Sequence, residues 1–240
     1  MSTEGSFIWC DLSAYRPLVA QAFHAAVLGW DFHEEGGYAY GSLDETPVAA
    51  IYQMPPKFMD MGLPSFWMSY IAVEDVARTV ELARAQGGRV ELAADDHALI
   101  RDPLGAGFTV HSAALEEFGP PRQGVGQRTG HDLFCSDISV VAPFYEALFG
   151  WKFDRTEPNC HVIRSRTGAP LALAHELPDE QRGKEQYWAV RFGVWDLAAS
   201  TERAREAGAA DLLPVQLPDG PSTFLFDPDG AAFLIEEVTG

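Results

Sequence analysis

The chain has 240 residues and no apolar run approaching the ~20 residues that a membrane-spanning helix needs. Its first residues, MSTEGSFIWCDLS, lack a basic segment followed by an apolar one, so no signal peptide is expected. Cysteine is scarce: Cys10, Cys135 and Cys160 are odd in number and show no CxxC spacing. That pattern points to a reduced, cytoplasmic setting rather than a disulfide framework. Basic residues are also few. Seventeen Lys and Arg stand against 35 Asp and Glu, a net charge of −18. Nucleic-acid binding needs a basic footprint, which this chain does not have. No phosphate-cradling glycine loop and no nucleophile elbow is present.

What the chain does have is a phrase written twice. AQAFHAAVLGWDF occupies residues 20–32 and VAPFYEALFGWKF occupies residues 141–153. At a constant spacing of 121 residues, Phe23 answers Phe144, Gly29 answers Gly150, Trp30 answers Trp151 and Phe32 answers Phe153. Asp11 and Asp132, Trp67 and Trp188, Asp75 and Asp196, and Gly87 and Gly208 keep the same spacing. DPLG at 102–105 and DPDG at 227–230 are 125 apart, so the second copy carries four more residues in its last loops. An ordered series of this kind identifies a duplication. The copies span 1–115 and 130–240, joined by a Gly- and Pro-rich linker over 116–129.

Each copy contains one rhythm twice. A strand at 7–12 leads to helical spacing over 14–28, which Gly29 ends. Strands follow at 38–43 and 48–54. After a Pro-rich loop, the strand 67–73 leads to a helix over 75–88 and to strands in RVEL, HALIRD and GFTVHSA. The second copy repeats this with helices over 138–149 and 196–207. The fold class expected is α+β, four βαβββ modules making two tandem domains with curved mixed sheets.

A βαβββ unit whose helix ends in FYEALFGW, together with YIAVEDV and the helix after it and with DPDGAAFLIE, resembles the vicinal oxygen chelate superfamily. That superfamily includes glyoxalase I, bleomycin-resistance proteins and extradiol dioxygenases, and the chain is most similar to its two-domain glyoxalase-like bacterial subgroup. His24 stands where the pattern has the Tyr of FY. The resemblance implies a divalent ion held by four strand positions per domain, acting as a Lewis acid on two adjacent substrate oxygens. Carried onto this sequence, those positions are Trp9, Ala50, Met68 and Thr109 in the first half, and Gly130, Leu173, Ala189 and Leu234 in the second. None supplies the imidazole or carboxylate such an ion takes. No metal and no other cofactor is therefore expected at the family's usual site.

Side chains alternate along a strand, so the next residue on the same face lies two positions on. That layer reads Asp11, Tyr52, Tyr70 and His111 in the first half, and Asp132, His175, Arg191 and Glu236 in the second. Unpaired polar groups inside a barrel are costly, so this layer suggests a wet, ligand-holding cavity or an internal hydrogen-bond network. With Trp9 and Met68 these residues are the ligand-binding candidates. Tyr70 and His111 are the candidate acid and base. Asp132, His175 and Glu236 are the alternative, displaced metal set. His131 adjoins a family position but should face the other way, unless the register slips by one. Trp67, Trp188, Trp30 and Trp151 read as packing residues, and the Met-rich loop 55–67 as a candidate lid.

The function expected is binding of a small organic molecule without the family's metal. The alternatives are a metal-dependent lyase or dioxygenase acting on vicinal oxygens, and an interaction module with filled cavities. The partner is a small molecule, with no nucleic acid and no membrane, and the chain a monomer or homodimer.

Overall fold

Gly29 and Gly150 end the two repeated helices in the computed structural model, which describes residues 4–112, 121–178 and 186–238. Both adopt left-handed backbone, with φ of 75° and 69°, where a side chain would be strained. Their N–H groups bond back to the carbonyls of Ala25 and Glu146.

Four modules repeat one order. The first runs β1 (Phe7–Ala14), α1 (Pro17–Leu28), β2 (Asp31–Glu35), β3 (Tyr38–Leu43), β4 (Thr46–Gln53) and a short α2 (Pro56–Asp60). The second runs β5 (Phe66–Val73), α3 (Val76–Ala85), β6 (Arg89–Ala93), β7 (His97–Arg101) and β8 (Gly107–Ser112). The third runs β9 (Arg128–Cys135), α4 (Ile138–Phe149), β10 (Lys152–Glu157), β11 (Cys160–Arg164) and β12 (Pro170–Glu176). The fourth runs β13 (Tyr187–Val194), α5 (Leu197–Glu206), β14 (Ala210–Leu217), β15 (Gly220–Phe226) and β16 (Ala232–Glu237). Asp75, Asp137 and Asp196 cap α3, α4 and α5 by accepting backbone N–H bonds.

The strands form two eight-stranded curled sheets, ordered β2-β3-β4-β1-β5-β8-β7-β6 and β10-β11-β12-β9-β13-β16-β15-β14. Within the modules β1 pairs β4, β5 pairs β8, β9 pairs β12 and β13 pairs β16, all in parallel. The outer pairs are antiparallel. This is the expected α+β class. β2 and β10 were not legible in the sequence because they are edge strands, largely exposed on both faces, with one apolar residue each. The expected loop 55–67 contains α2. The expected linker over 116–129 ends earlier, because β9 starts at Arg128 and Gly126 and Gln127 exchange backbone bonds with Gly193. Residues 116–120 of that linker lie outside the described residues.

Packing groups the chain into two compact units. Unit 1 comprises Met1–Trp9, Ser69–Pro120 and His131–Ala189; unit 2 comprises Cys10–Met68, Pro121–Gly130 and Val190–Gly240. In unit 1, Val80 and Ala83 of α3 and Val141, Phe144 and Phe149 of α4 bury against Ile71, Phe108, Val110 and Leu133. In unit 2, Phe23, Val27 and Leu28 of α1 and Ala204 of α5 bury against Cys10, Leu12, Ile51, Phe192 and Phe233. Trp151 and Trp188 lie in the first core, Trp30 and Trp67 in the second.

The repeated DPxG turn explains one consequence of His24. In unit 1 the Asp102 carboxylate accepts N–H bonds from Leu104, Gly105 and Ala106 at 2.9, 2.8 and 3.0 Å. The Tyr145 hydroxyl donates to Asp102 at 3.1 Å and accepts the Trp188 indole N–H at 2.8 Å. In unit 2, His24 takes the place of that tyrosine and Asp227 the place of Asp102. The shorter ring leaves His24 Nε2, Trp67 Nε1 and Asp227 Oδ2 buried without hydrogen-bond partners. His24 Nε2 lies 4.0 Å from Asp227 Oδ2, and burial pushes the imidazole down to about 3, so it is neutral. Unsatisfied buried groups cost about 1–3 kcal/mol each. Tyr145→Phe should therefore lower the urea-unfolding free energy by about 1–3 kcal/mol, while His24→Tyr should raise it by about 1 kcal/mol by restoring the bridge.

Candidate functional site

The two cores fix which face each central strand turns to its helices. Leu133 and Cys135 of β9 and Ala172 and Ala174 of β12 enter the core of unit 1. Asp132, Phe134, Leu173 and His175 therefore take the helix-free face. By the same alternation Tyr70, Thr109 and His111 do so in unit 1. In unit 2, Asp11, Ala50, Tyr52, Arg191, Leu234 and Glu236 take that face, because Cys10, Leu12, Ile51, Phe192, Phe233 and Ile235 enter the core. His131 turns the other way: it is fully buried, stacks on Phe7 at 3.9 Å and hydrogen-bonds the Ser69 hydroxyl at 3.0 Å.

The family's metal positions do not fit an ion. Trp9, Ala50, Met68, Thr109, Leu173, Ala189 and Leu234 are all buried, and only the Met68 thioether and Thr109 hydroxyl offer any donor. At Gly130 a cation takes the space. A Cβ built there would lie 3.5 Å from Cζ, Nε and Nη2 of Arg191. A guanidinium at this point repels a divalent ion rather than holding one.

In unit 2, Arg191 is almost wholly buried. Its Nη1 donates to Glu236 at 2.9 Å and to Asp219 at 2.7 Å. Asp219, from the β14–β15 turn, is a partner that no sequence pattern signals. Tyr52 and Tyr38 meet in a tilted ring contact with centroids 5.3 Å apart. Burial, and then the Asp11 charge, raise the pKa of both phenols, keeping them protonated. Beside them, Pro17, Gln21, Glu34, Tyr38, Ile51 and Tyr52 help to line a cleft of about 380 Å³. Arg128, buried and lowered by that burial, hydrogen-bonds the Cys10 thiol.

In unit 1, His175 Nε2 lies 2.8 Å from Asp132 Oδ1. Cys160 stands opposite His175 in the β11–β12 register. Burial disfavours the imidazolium, but Asp132, which accepts its hydrogen bond, and the Cys160 sulfur outweigh it and push His175 up to about 9. Phe134 stacks on His175 at 4.8 Å, and Tyr187 on Phe134 at 5.3 Å. Of the alternative metal set, Asp132 and His175 belong to unit 1 and Glu236 to unit 2. The first two form a pair in unit 1, and Glu236 serves Arg191 in unit 2. A protonated imidazole offers no lone pair to a metal.

Tyr70 and His111 lie on neighbouring strands of one face, where Tyr70 pairs with Thr109 and His111 with Ala72. His111 is engaged elsewhere. Its Nδ1 lies 2.6 Å from the Ser112 carbonyl, and its ring stacks on His97 at 6.0 Å. His97 Nδ1 in turn lies 2.7 Å from Asp96 Oδ1. One ligand atom each from Asp96, His97 and His111 fall within 4.8 Å of one another, the one group among the described residues with such spacing. Sequence reading missed it because His97 and His111 meet only through β7–β8 pairing.

The His175 pair has a pH signature. The folded state holds this proton more tightly than the unfolded chain, whose imidazole titrates at its ordinary 6.5. The contribution is complete below pH 6.5 and fades as pH rises through about 9. At most it is about 3 kcal/mol, from ~1.4 kcal/mol per pKa unit. Urea midpoints should fall across that window, and His175→Gln should remove the slope.

Residues 129–235 match the family described as a glyoxalase-like domain. Anthracycline biosynthesis protein DauV of Streptomyces sp. (strain C5) is 29% identical, over 98% of this chain and 94% of its own length. CFP32 of Mycobacterium tuberculosis (strain CDC 1551 / Oshkosh), named as a glyoxylase, is 28% identical over 97% of this chain and 94% of its own. The Mn(II)-bound glyoxalase of Novosphingobium aromaticivorans shares the fold with a TM-score of 0.64 at 15% identity, over 99% of this chain and 83% of that one. A catechol 2,3-dioxygenase gives a TM-score of 0.64 at 12% identity, over 99% and 89%. No helix among the described residues is long and apolar enough to cross a membrane. Domain match, relatives and fold are consistent with the vicinal oxygen chelate superfamily, and residues 129–235 match a glyoxalase-like domain.

Proposed function

We propose that this protein binds a small, flat, oxygen-bearing organic molecule on the helix-free strand faces without the family's metal. The observation that carries the reading is the exchange of chemistry along the strands. Positions that relatives use for an ion hold Trp9, Ala50, Met68, Thr109, Gly130, Leu173, Ala189 and Leu234. The residues two positions on form a polar layer that is buried or half-buried. Asp132 with His175 in unit 1, and Arg191 with Glu236 in unit 2, are the anchors, because each is pre-oriented by its own ion pair. Aromatic rings in the same units, Phe134 and Tyr187 stacked on from His175 in one and Tyr38 and Tyr52 beside a cleft in the other, favour a planar ligand. The name of DauV places that relative in anthracycline biosynthesis, which supports a polycyclic aromatic ligand class for this chain.

The second reading, metal-dependent lyase or dioxygenase chemistry, is favoured by one observation, the Asp96–His97–His111 group. Two imidazoles and a carboxylate suit a borderline divalent ion. The Ser112 carbonyl on His111 Nδ1 directs Nε2 outward as a ligand would need.

Thermal melts against a panel of polycyclic aromatic compounds test the first reading. A ligand at about a hundred times its Kd should add about 2.7 kcal/mol, a rise of roughly 5–10 °C, and Arg191→Lys should shrink the rise for a compound bound in unit 2. Zinc titration followed by calorimetry tests the second. Binding below about 10 µM that His111→Ala abolishes would favour it, and an activity lost on chelation would replace the first reading with it.

A further inference from the structure

We propose that Cys160, His175 and Asp132 form a nucleophilic thiol site in unit 1 that adds covalently to flat α,β-unsaturated carbonyl compounds. Cys160 opens β11 and faces His175 directly across the antiparallel pair with β12. The imidazole's Nε2 is held 2.8 Å from Asp132 Oδ1. Nucleophile, imidazolium and orienting carboxylate thus follow one another across three strands. Three strands, β9, β11 and β12, supply one residue each, so no local sequence motif announces the group.

The other two thiols make the contrast. Burial pushes Cys10 and Cys135 up to about 12, leaving them protonated and unreactive. Cys160 instead stands against the imidazole that Asp132 keeps protonated. The His175 side chain is 16% exposed and Cys160 is 6% exposed, so the pair lies just beneath the surface. Other charged or titratable groups on these strands are Arg128 of β9, His131 of β9, His161 and Arg164 of β11 and Glu176 of β12, with Arg155 on neighbouring β10; His161 is lowered first by burial, then by the Arg155 charge, with Glu176 opposing. The rings of Phe134 and Tyr187 continue from His175 as a stack, a wall suited to a conjugated planar molecule.

The step balances without a co-reactant. The thiol proton leaves to solvent, because His175 already carries its own. The sulfur forms a bond to the β-carbon, the C=C π pair moves to the α-carbon and carbonyl as an enolate, and the imidazolium donates a proton there and regains one from solvent. The net result is addition of S–H across the double bond. The inference shares Asp132 and His175 with the reversible-binding reading but depends on Cys160, which that reading does not use.

The probe is N-ethylmaleimide, a flat α,β-unsaturated imide, applied to the native full-length chain near pH 7 and mapped by peptide mass. A single adduct on Cys160, formed at least about ten-fold faster than any on Cys10 or Cys135, is expected. His175→Gln should cut the rate about ten-fold near pH 7, because it removes the imidazolium facing the attacking sulfur. Cys160→Ser should give no early adduct while keeping its melting temperature and any thermal shift from reversible ligands, which separates the two readings. The proposal is overturned if Cys160 in the native chain stays unmodified, or if His175→Gln leaves its rate unchanged.

Discussion

Strand alternation is the constraint on which everything else rests. In the central strands one set of side chains enters a helix-packed core and the other set cannot. A slip of one residue in β9 would drive Asp132 into the space of Leu133, among Val141, Phe144 and Ile163. An uncompensated carboxylate there would cost several kcal/mol, far more than a register change could recover. The apolar residues of the helix side therefore hold the polar layer in place on the other side. Loss of donors at the family's metal positions leaves that register intact, because those positions pack on the face that the cores do not use.

Given that register, buried charge in each compact unit is met by opposite charge. Asp132 is wholly buried and is matched by an imidazole that carries a proton. Arg191, 3% exposed, is matched by Glu236 and by Asp219 from a turn. Removing one partner of such a pair leaves a charge without compensation, so these residues are coupled in any variant. The acidic balance of the chain, −18, lies elsewhere, largely on exposed strands and helix ends.

The duplicated modules diverged in chemistry more than in shape. Gly29 and Gly150 keep the same backbone, and the DPxG turns keep the same Asp-centred bonds. Yet Tyr145 completes its bridge to Asp102 and Trp188, and His24 leaves the matching atoms of Asp227 and Trp67 unpaired. The helix-free faces differ as well. One unit gathers a thiol, an imidazole and a carboxylate, and the other a guanidinium between two carboxylates.

The sequence by itself determined the repeat, the four βαβββ modules, the helix stops and the alternating faces. These are local properties, set by a period of two or of 3.6 residues and by glycine's access to positive φ. By resemblance it also led to eight expected metal positions, none carrying an imidazole or carboxylate. It did not show β2, β10 or α2, whose patterns carry too little apolar contrast. Only the tertiary structure decided that Glu236 and Asp219 answer Arg191, and that Cys160 stands at His175. Those contacts join residues far apart in the chain, and pairing between strands, not spacing along one strand, brings them within hydrogen-bonding reach.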